Sequence, residues 1–238
     1  SKGRVDEAER VVAEFESSAA LSTRTHADET ASDNAPETPA SNAQEATSIW
    51  SAPLRKRTLA LCTVWFCINL SYYGAFIWIP SLLSAQGYSL VKSFAFTLIM
   101  TLAQLPGYAV AAYLIEKWGR RATLAVFLAG SAGAAVCYGL SHSDFFIILS
   151  GCFLSFFNLG AWGALYAISP EVFPTRLRGT GTGTAAGLGR IASILAPLIV
   201  PPLISFGGTG VLFAVFAAAF LLAAITTFAL PEKRGKSL

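Results

Sequence analysis

Six long apolar stretches, separated by short polar connections, follow one another after residue 57. Each holds about 20 residues, the length an α-helix needs to cross the roughly 30 Å hydrocarbon layer of a bilayer. We therefore predict six transmembrane helices, at residues 58–83, 93–115, 122–140, 144–168, 180–204 and 209–230. Because the connections are short, neighbouring helices are expected to be antiparallel.

The pattern before the spans is different. Apolar residues recur at helical spacing over residues 3–16, which predicts an amphipathic helix within a cytoplasmic segment at 1–21. Residues 22–57 are rich in Ala, Thr, Ser and acids, so we predict a disordered linker. The spans then form a transmembrane domain at 58–230, with a cytoplasmic tail at 231–238. The chain begins with Ser1 and has one methionine, Met100, so we expect it to be part of a longer polypeptide.

Composition and charge agree with a membrane protein. Hydrophobic residues make up 54% of the chain and charged residues 13%, too apolar a balance for an ordinary soluble domain. Basic residues flank the spans on one side, at Arg55, Lys56, Arg57, Lys117, Arg120, Arg121, Arg176, Arg178, Lys233, Arg234 and Lys236. Lys92 alone flanks the other side. Since Lys and Arg are retained in the cytoplasm, we predict that both termini are cytoplasmic, in a multi-pass protein of the plasma membrane.

The glycine-rich stretch "RGTGTGTAAGLGR" at 178–190 could be a phosphate-binding loop or a helix-packing face. A phosphate loop needs a strand before it and a helix after it, whereas apolar spans flank this one. Gly179, Gly183 and Gly187 recur every four residues and share one helix face, so we predict that another helix packs there. We find no motif for nucleic acid, a cofactor or a metal, and no Ser–His, paired-acid or ligand cluster that would make an enzyme.

Arg190 lies about 15 Å along its predicted helix from Thr180, near the middle of the bilayer. A charge at that depth is costly unless it meets a partner or a wet cavity, so it is a candidate functional residue. The alternative is that it bonds backbone carbonyls and locks two helices together. Three other helices carry polar or aromatic groups at helical spacing, and with Arg190 they make up the predicted substrate site: Asn69, Tyr73, Gln104, Asn158, Trp162 and Tyr166.

Two loops and the C-terminus resemble motifs of the major facilitator superfamily. "AYLIEKWGRR" at 112–121 is similar to Gly-x-x-x-Asp-Arg-x-Gly-Arg-Arg, with Ala112 in place of the first Gly. "PEVFPTRLRGTG" at 170–181 and "LPEKRGKSL" at 230–238 resemble elements of its sugar-porter-like branch. "NLSYYGAFIWIPSLL" at 69–83 and the fourth span look most like nicotinate, aromatic-acid and other metabolite–proton symporters related to synaptic vesicle glycoproteins.

The resemblance implies an all-α membrane fold in which the six helices are one half, a 3+3 inverted repeat, of a twelve-helix transporter. An N-terminal six-helix half would complete it. The implied function is secondary active transport of a small organic anion, such as an aromatic or pyridine carboxylate, by alternating access with protons. No Asp or Glu lies deep in a span, so a proton carrier would belong to the other half.

The resemblance also implies a cytoplasmic gate of ion pairs, formed by Glu116, Arg120, Arg121, Glu171 and Arg178. Two alternatives to organic-anion transport remain open. In a sugar or polyol porter of the same fold, Arg190 would be structural, although the Gln-Gln pair usual in the first helix of such halves is missing. A membrane sensor or scaffold would bind a ligand without accumulating it.

Overall fold

The computed structural model describes residues 48–232, and all regular structure within them is helical. The segment predicted at 1–21, most of the linker at 22–57 and residues 233–238 of the tail lie outside the described residues. The prediction of an all-helical membrane fold is confirmed. The helices are α1 (Ala52–Phe76), α2 (Ile79–Ala85), α3 (Leu90–Leu102), α4 (Gln104–Trp118), α5 (Arg120–Gly139), α6 (Asp144–Ile168) and α7 (Arg178–Thr227).

Helix α1 begins at Ala52, so the end of the segment predicted as a linker is helical. Pro53 stands in its first turn, where a missing N–H costs nothing. The first predicted span is divided, because the helix stops at Phe76 and resumes at Ile79 as the short α2, which has Pro80 in its first turn. The second predicted span is divided between α3 and α4 at Ala103.

Five helical stretches of the described chain are long and apolar enough to cross a membrane, and the last contains two of the predicted spans. They meet at Gly207 and Gly208, whose backbone leaves the helical region. Gly208 has φ +69°, a backbone conformation that residues with a Cβ rarely adopt. This pair therefore separates two arms of α7, at 178–206 and 209–227, near the predicted boundary.

The bundle is organised by α1, which packs along α7, and by α5, which packs against α6 and α7. Large aromatic side chains fill the interior, where Trp65, Phe127, Phe173, Phe213, Phe216 and Phe220 are almost fully buried. Close helix contacts use small residues, as where the ring of Phe127 lies on Gly160. In contrast, only 17% of the most apolar window of residues 90–118 is buried, against 61% in α1. Most side chains of α3 and α4 therefore face outwards.

Within the described chain, α7 packs through glycines other than the predicted ones, and helix contact at the predicted ones stays a prediction. A Cβ built on Gly179, Gly183 or Gly187 meets no atom within 4 Å in the described chain. The adjacent row of small residues makes the contact instead: Gly181 lies against Phe173, Ala185 is fully buried, and a Cβ on Gly189 would lie 2.6 Å from Asn69 Nδ2. Within this half, helix packing therefore uses the row that begins at Gly181.

This assignment predicts different outcomes for two nearby glycines. Gly189→Ala should lower the free energy of unfolding by about 1–3 kcal/mol, because the new methyl group overpacks the contact with α1. Gly187→Ala is the matched control and should be neutral or slightly stabilising, because alanine favours the helix and the space is open. Thermal unfolding of both variants in detergent measures this. Equal destabilisation by the two would contradict the assigned helix face.

Candidate functional site

A hydrogen bond between Arg190 and Tyr73 joins α7 to α1. Arg190 lies about 18 Å along α7 from its first residue. Its Nη1 donates a hydrogen bond to the Tyr73 hydroxyl oxygen at 3.2 Å, while the rest of the side chain is exposed. Tyr73 belongs to α1 and is half-buried. A guanidinium with one neutral partner keeps most of its five N–H donors free for an anion.

An aromatic cluster continues from Tyr73 into α6. We define it as Trp65, Tyr72, Trp162 and Tyr166. Trp65 meets Trp162 and Tyr166 edge to face, with centroids 5.7 and 5.2 Å apart, while Tyr72 lies 6.0 Å from Trp162 and 5.3 Å from Tyr73. Trp162 and Tyr166 stack at 5.6 Å. The rings therefore form one continuous cluster, in which Trp65 and Trp162 are buried and Tyr166 is exposed.

Asn69, predicted to line a cavity, is buried between α1 and α7. Its Nδ2 donates to the Trp65 carbonyl oxygen at 2.8 Å, and its Oδ1 accepts from Ser193 Oγ at 2.9 Å. The absence of a side chain on Gly189 makes room for this amide. In this conformation Asn69 holds two helices together, and a role in binding substrate stays a prediction.

The second predicted polar helix also reaches this region. The side chains of Gln104, at the start of α4, and Tyr72 interact. One turn further, the ring of Tyr108 packs over Gly163 of α6, 3.3 Å from where a Cβ would stand. Five of the predicted substrate-site residues are thus linked to the cluster. Trp162 and Tyr166 belong to it, Tyr73 and Gln104 contact its member Tyr72, and Arg190 reaches it through Tyr73.

Helix α6 carries buried polar atoms without partners. Asn158 is 1% exposed, yet neither its Oδ1 nor its Nδ2 makes a hydrogen bond within the described chain. The same holds for Trp162 Nε1 and for Ser155 Oγ. Each such group costs about 1–3 kcal/mol when it is left unpaired. Ser155 was not predicted, because a single serine in an apolar span gives no signal in the sequence.

The α4–α5 and α6–α7 connections, predicted to be cytoplasmic, bring together some of the predicted gate residues. Arg120 Nε and Glu171 Oε1 form an ion pair at 2.9 Å, in which Glu171 is 11% exposed. Arg121 turns instead to the end of the domain, where Nη1 donates to the Leu230 carbonyl oxygen at 3.3 Å and Nε lies 3.9 Å from Glu232 Oε2. Glu232 was not among the predicted gate residues, although it lies in the C-terminal motif at 230–238 that resembles an element of the family.

The other two gate residues make no ion pair within the described part of the chain. Glu116 is exposed at the end of α4. Arg178 is half-buried, and its Nε has no hydrogen-bond partner there. Gly119 explains why Arg120 and Arg121 diverge from this helix: its φ of +92° ends α4, and Glu232 Oε1 lies only 2.7 Å from where a Cβ would stand.

Two concavities lie away from the aromatic cluster. One, of about 500 Å³, is between α1 and α7 and is lined by apolar residues that include Phe66 and Leu222. The other, of about 720 Å³, is at the α5–α6 connection beside His142 and Phe153. Neither has Arg190 in its lining.

These features define a class of protein: a multi-pass membrane protein whose half-bundle carries basic loops and an arginine within a span. The chain matches the family described as sugar (and other) transporter over residues 1–238, and it belongs to that family. Its members are transporters rather than enzymes. The resemblance found in the sequence is thereby confirmed.

Relatives narrow the branch. The niacin transporter NiaP of Acinetobacter baylyi is 42% identical over 242 residues, covering 100% of this chain and 53% of the relative. A Bacillus subtilis protein provisionally named niacin/nicotinamide transporter NiaP is 49% identical over 180 residues, which cover 74% of this chain and 44% of that relative. The synaptic vesicle 2-related protein of Xenopus laevis is 27% identical over 215 residues, which cover 80% of this chain and 38% of that relative. The chain spans about half the length of the curated relatives it matches.

The different burial of two ion pairs predicts different coupling energies. In a double-mutant cycle, Arg120→Gln and Glu171→Gln should couple by about 1–3 kcal/mol, because Glu171 is largely removed from water. The exposed pair of Lys92 and Asp144, whose side chains are 45% and 50% exposed, should couple far more weakly, because water screens the two charges. Denaturant titration in micelles measures both, and equal couplings would contradict the prediction.

Proposed function

We propose that this chain is half of a secondary active transporter that carries a small organic anion, an aromatic or pyridine carboxylate, by alternating access coupled to protons. The observation that carries this proposal is the contact of Arg190 with Tyr73 beside the aromatic cluster. The guanidinium would bind the carboxylate, and the rings would hold the flat body of the substrate. Asn69, Gln104 and Asn158 would complete the polar lining.

The names of two relatives support this substrate class. Both refer to niacin, which is a pyridine carboxylic acid, and the identities of 42% and 49% are well above those expected from fold alone. The outward-facing α3 and α4 support a second, N-terminal six-helix half as the partner, since a central pathway needs two walls. No Asp or Glu lies deep within a span, so protons would be carried by that half.

Ion pairs at the cytoplasmic end support a gate. Arg120 with Glu171, and Arg121 with Glu232, would hold the inner side closed and separate when the pathway opens inwards. Glu116 and Arg178 would find partners in the second half. In this orientation both termini are cytoplasmic, in a transporter of the plasma membrane that opens to either side of the bilayer in turn.

Uptake by the full-length transporter in liposomes tests the proposal. Labelled nicotinate or benzoate should accumulate faster when the outside is made acidic. Arg190→Ala should lower the rate about 10- to 100-fold, the value of a hydrogen bond to a charged group, and Tyr73→Phe should have a smaller effect. Lys92→Ala is the control, since this cation pairs with Asp144 away from the site.

Three results would contradict this reading. Hexose uptake that survives Arg190→Ala would indicate a sugar porter with a structural arginine. Binding without accumulation of any substrate would indicate a sensor or scaffold. Carboxylate uptake that is insensitive to pH would remove the proton coupling and leave the substrate class.

A further inference from the structure

Ser155 differs from the other buried serines of the described helices. Those serines are Ser71, Ser93, Ser131, Ser150 and Ser169, and each donates its hydroxyl to a backbone carbonyl oxygen. Ser155 is 0% exposed and its Oγ makes no hydrogen bond within the described chain. Its hydroxyl is therefore available for a group that lies outside the described protein atoms.

Position and spacing connect this hydroxyl with the candidate site. Ser155, Asn158 and Trp162 follow each other at i, i+3 and i+7 on α6, so they share one helix face. Each presents at least one buried atom without a partner. Trp162 meets Trp65 and Tyr72 of α1 at 5.7 and 6.0 Å, so this face leads at its Trp162 end into the aromatic cluster.

Several buried polar atoms without partners in one row indicate a surface that protein covers in this conformation and that a ligand or water occupies in another. A buried polar atom without a partner is costly, and a polar ligand or water would pair these atoms when the helices that cover this face separate. Their chemistry is also informative. A hydroxyl, an amide and an indole N–H bear no charge, so they suit a neutral hydrogen-bonding group rather than a second carboxylate.

We propose that Ser155, together with Asn158, is a specificity-determining site that binds an uncharged hydrogen-bonding group of the transported molecule, such as a ring nitrogen or a hydroxyl. This inference rests on the proposed function and adds to it. Arg190 would select the carboxylate, while Ser155 would distinguish substituted or heteroaromatic acids from plain ones of the same shape. Because nicotinate and benzoate differ mainly in one ring atom, they form a suitable pair of probes.

The transport test compares the ratio of the apparent KM for benzoate to that for nicotinate. We expect Ser155→Ala to reduce this ratio roughly 3- to 10-fold, as expected for one hydrogen bond, with little change for benzoate alone. Ser131→Ala is the matched control, because Ser131 is equally buried but donates to the Phe127 carbonyl oxygen at 2.9 Å. An unchanged ratio in Ser155→Ala would overturn the proposal, even where uptake still depends on Arg190.

An accessibility test does not require transport. Ser155→Cys and Ser131→Cys are made in a background without other cysteines and treated in liposomes with a membrane-impermeant methanethiosulfonate reagent. We expect Ser155→Cys to react at least ten times faster, and nicotinate to protect it. Equal rates would overturn the proposal. Reaction without protection would overturn its ligand and leave a water-filled face, whereas loss of all carboxylate uptake would instead contradict the proposed function.

Discussion

The hydrocarbon layer offers no hydrogen bonds, so each polar group inside a span must find its partner within the protein or within a wet cavity. This constraint accounts for much of the interior. Most buried serines and threonines donate to a carbonyl oxygen one turn back, as Ser131 and Thr227 do. Asn69 uses both ends of its amide to join α1 to α7. Arg190 and Asn158 stand out, because Arg190 has one side-chain partner and Asn158 has none within the described chain.

The contact between α1 and α7 positions the candidate site. Small residues at Gly181, Ala185 and Gly189 let the helices approach until Asn69 fits between them. One turn beyond Asn69, Tyr73 meets Arg190. A bulkier row on α7 would keep the helices apart, so the packing that stabilises this half also sets the depth and direction of its central cation.

The two ends of the bundle are held by different means. At one end, Gly119 directs Arg120 and Arg121 towards two separate acids, so one loop holds both the α6–α7 connection and the end of the domain. At the other end, Lys92 and the Tyr88 hydroxyl both contact the Asp144 carboxylate, at 2.5 Å each. The hydrogen bond to Asp144 raises the pKa of the Tyr88 phenol, because ionisation of the phenol would break it. The network of Lys92, Tyr88 and Asp144 is exposed to water, whereas the ion pairs of Arg120 and Arg121 are partly buried.

Apolar length and basic flanks determined that this chain spans a membrane as helices, because a helix satisfies its own backbone without reference to its neighbours. The sequence also singled out Arg190, because a charge deep in a span must find a partner within the protein or a wet cavity. Only the tertiary structure decided which of two rows on α7 faces α1. Gly179, Gly183 and Gly187 have the same four-residue spacing as Gly181, Ala185 and Gly189, and rotation of the helix about its axis chooses between them. That rotation is set by shape, where Phe173 and Asn69 fill the space left by missing side chains, and shape of this kind is not written in the spacing of residues along one helix.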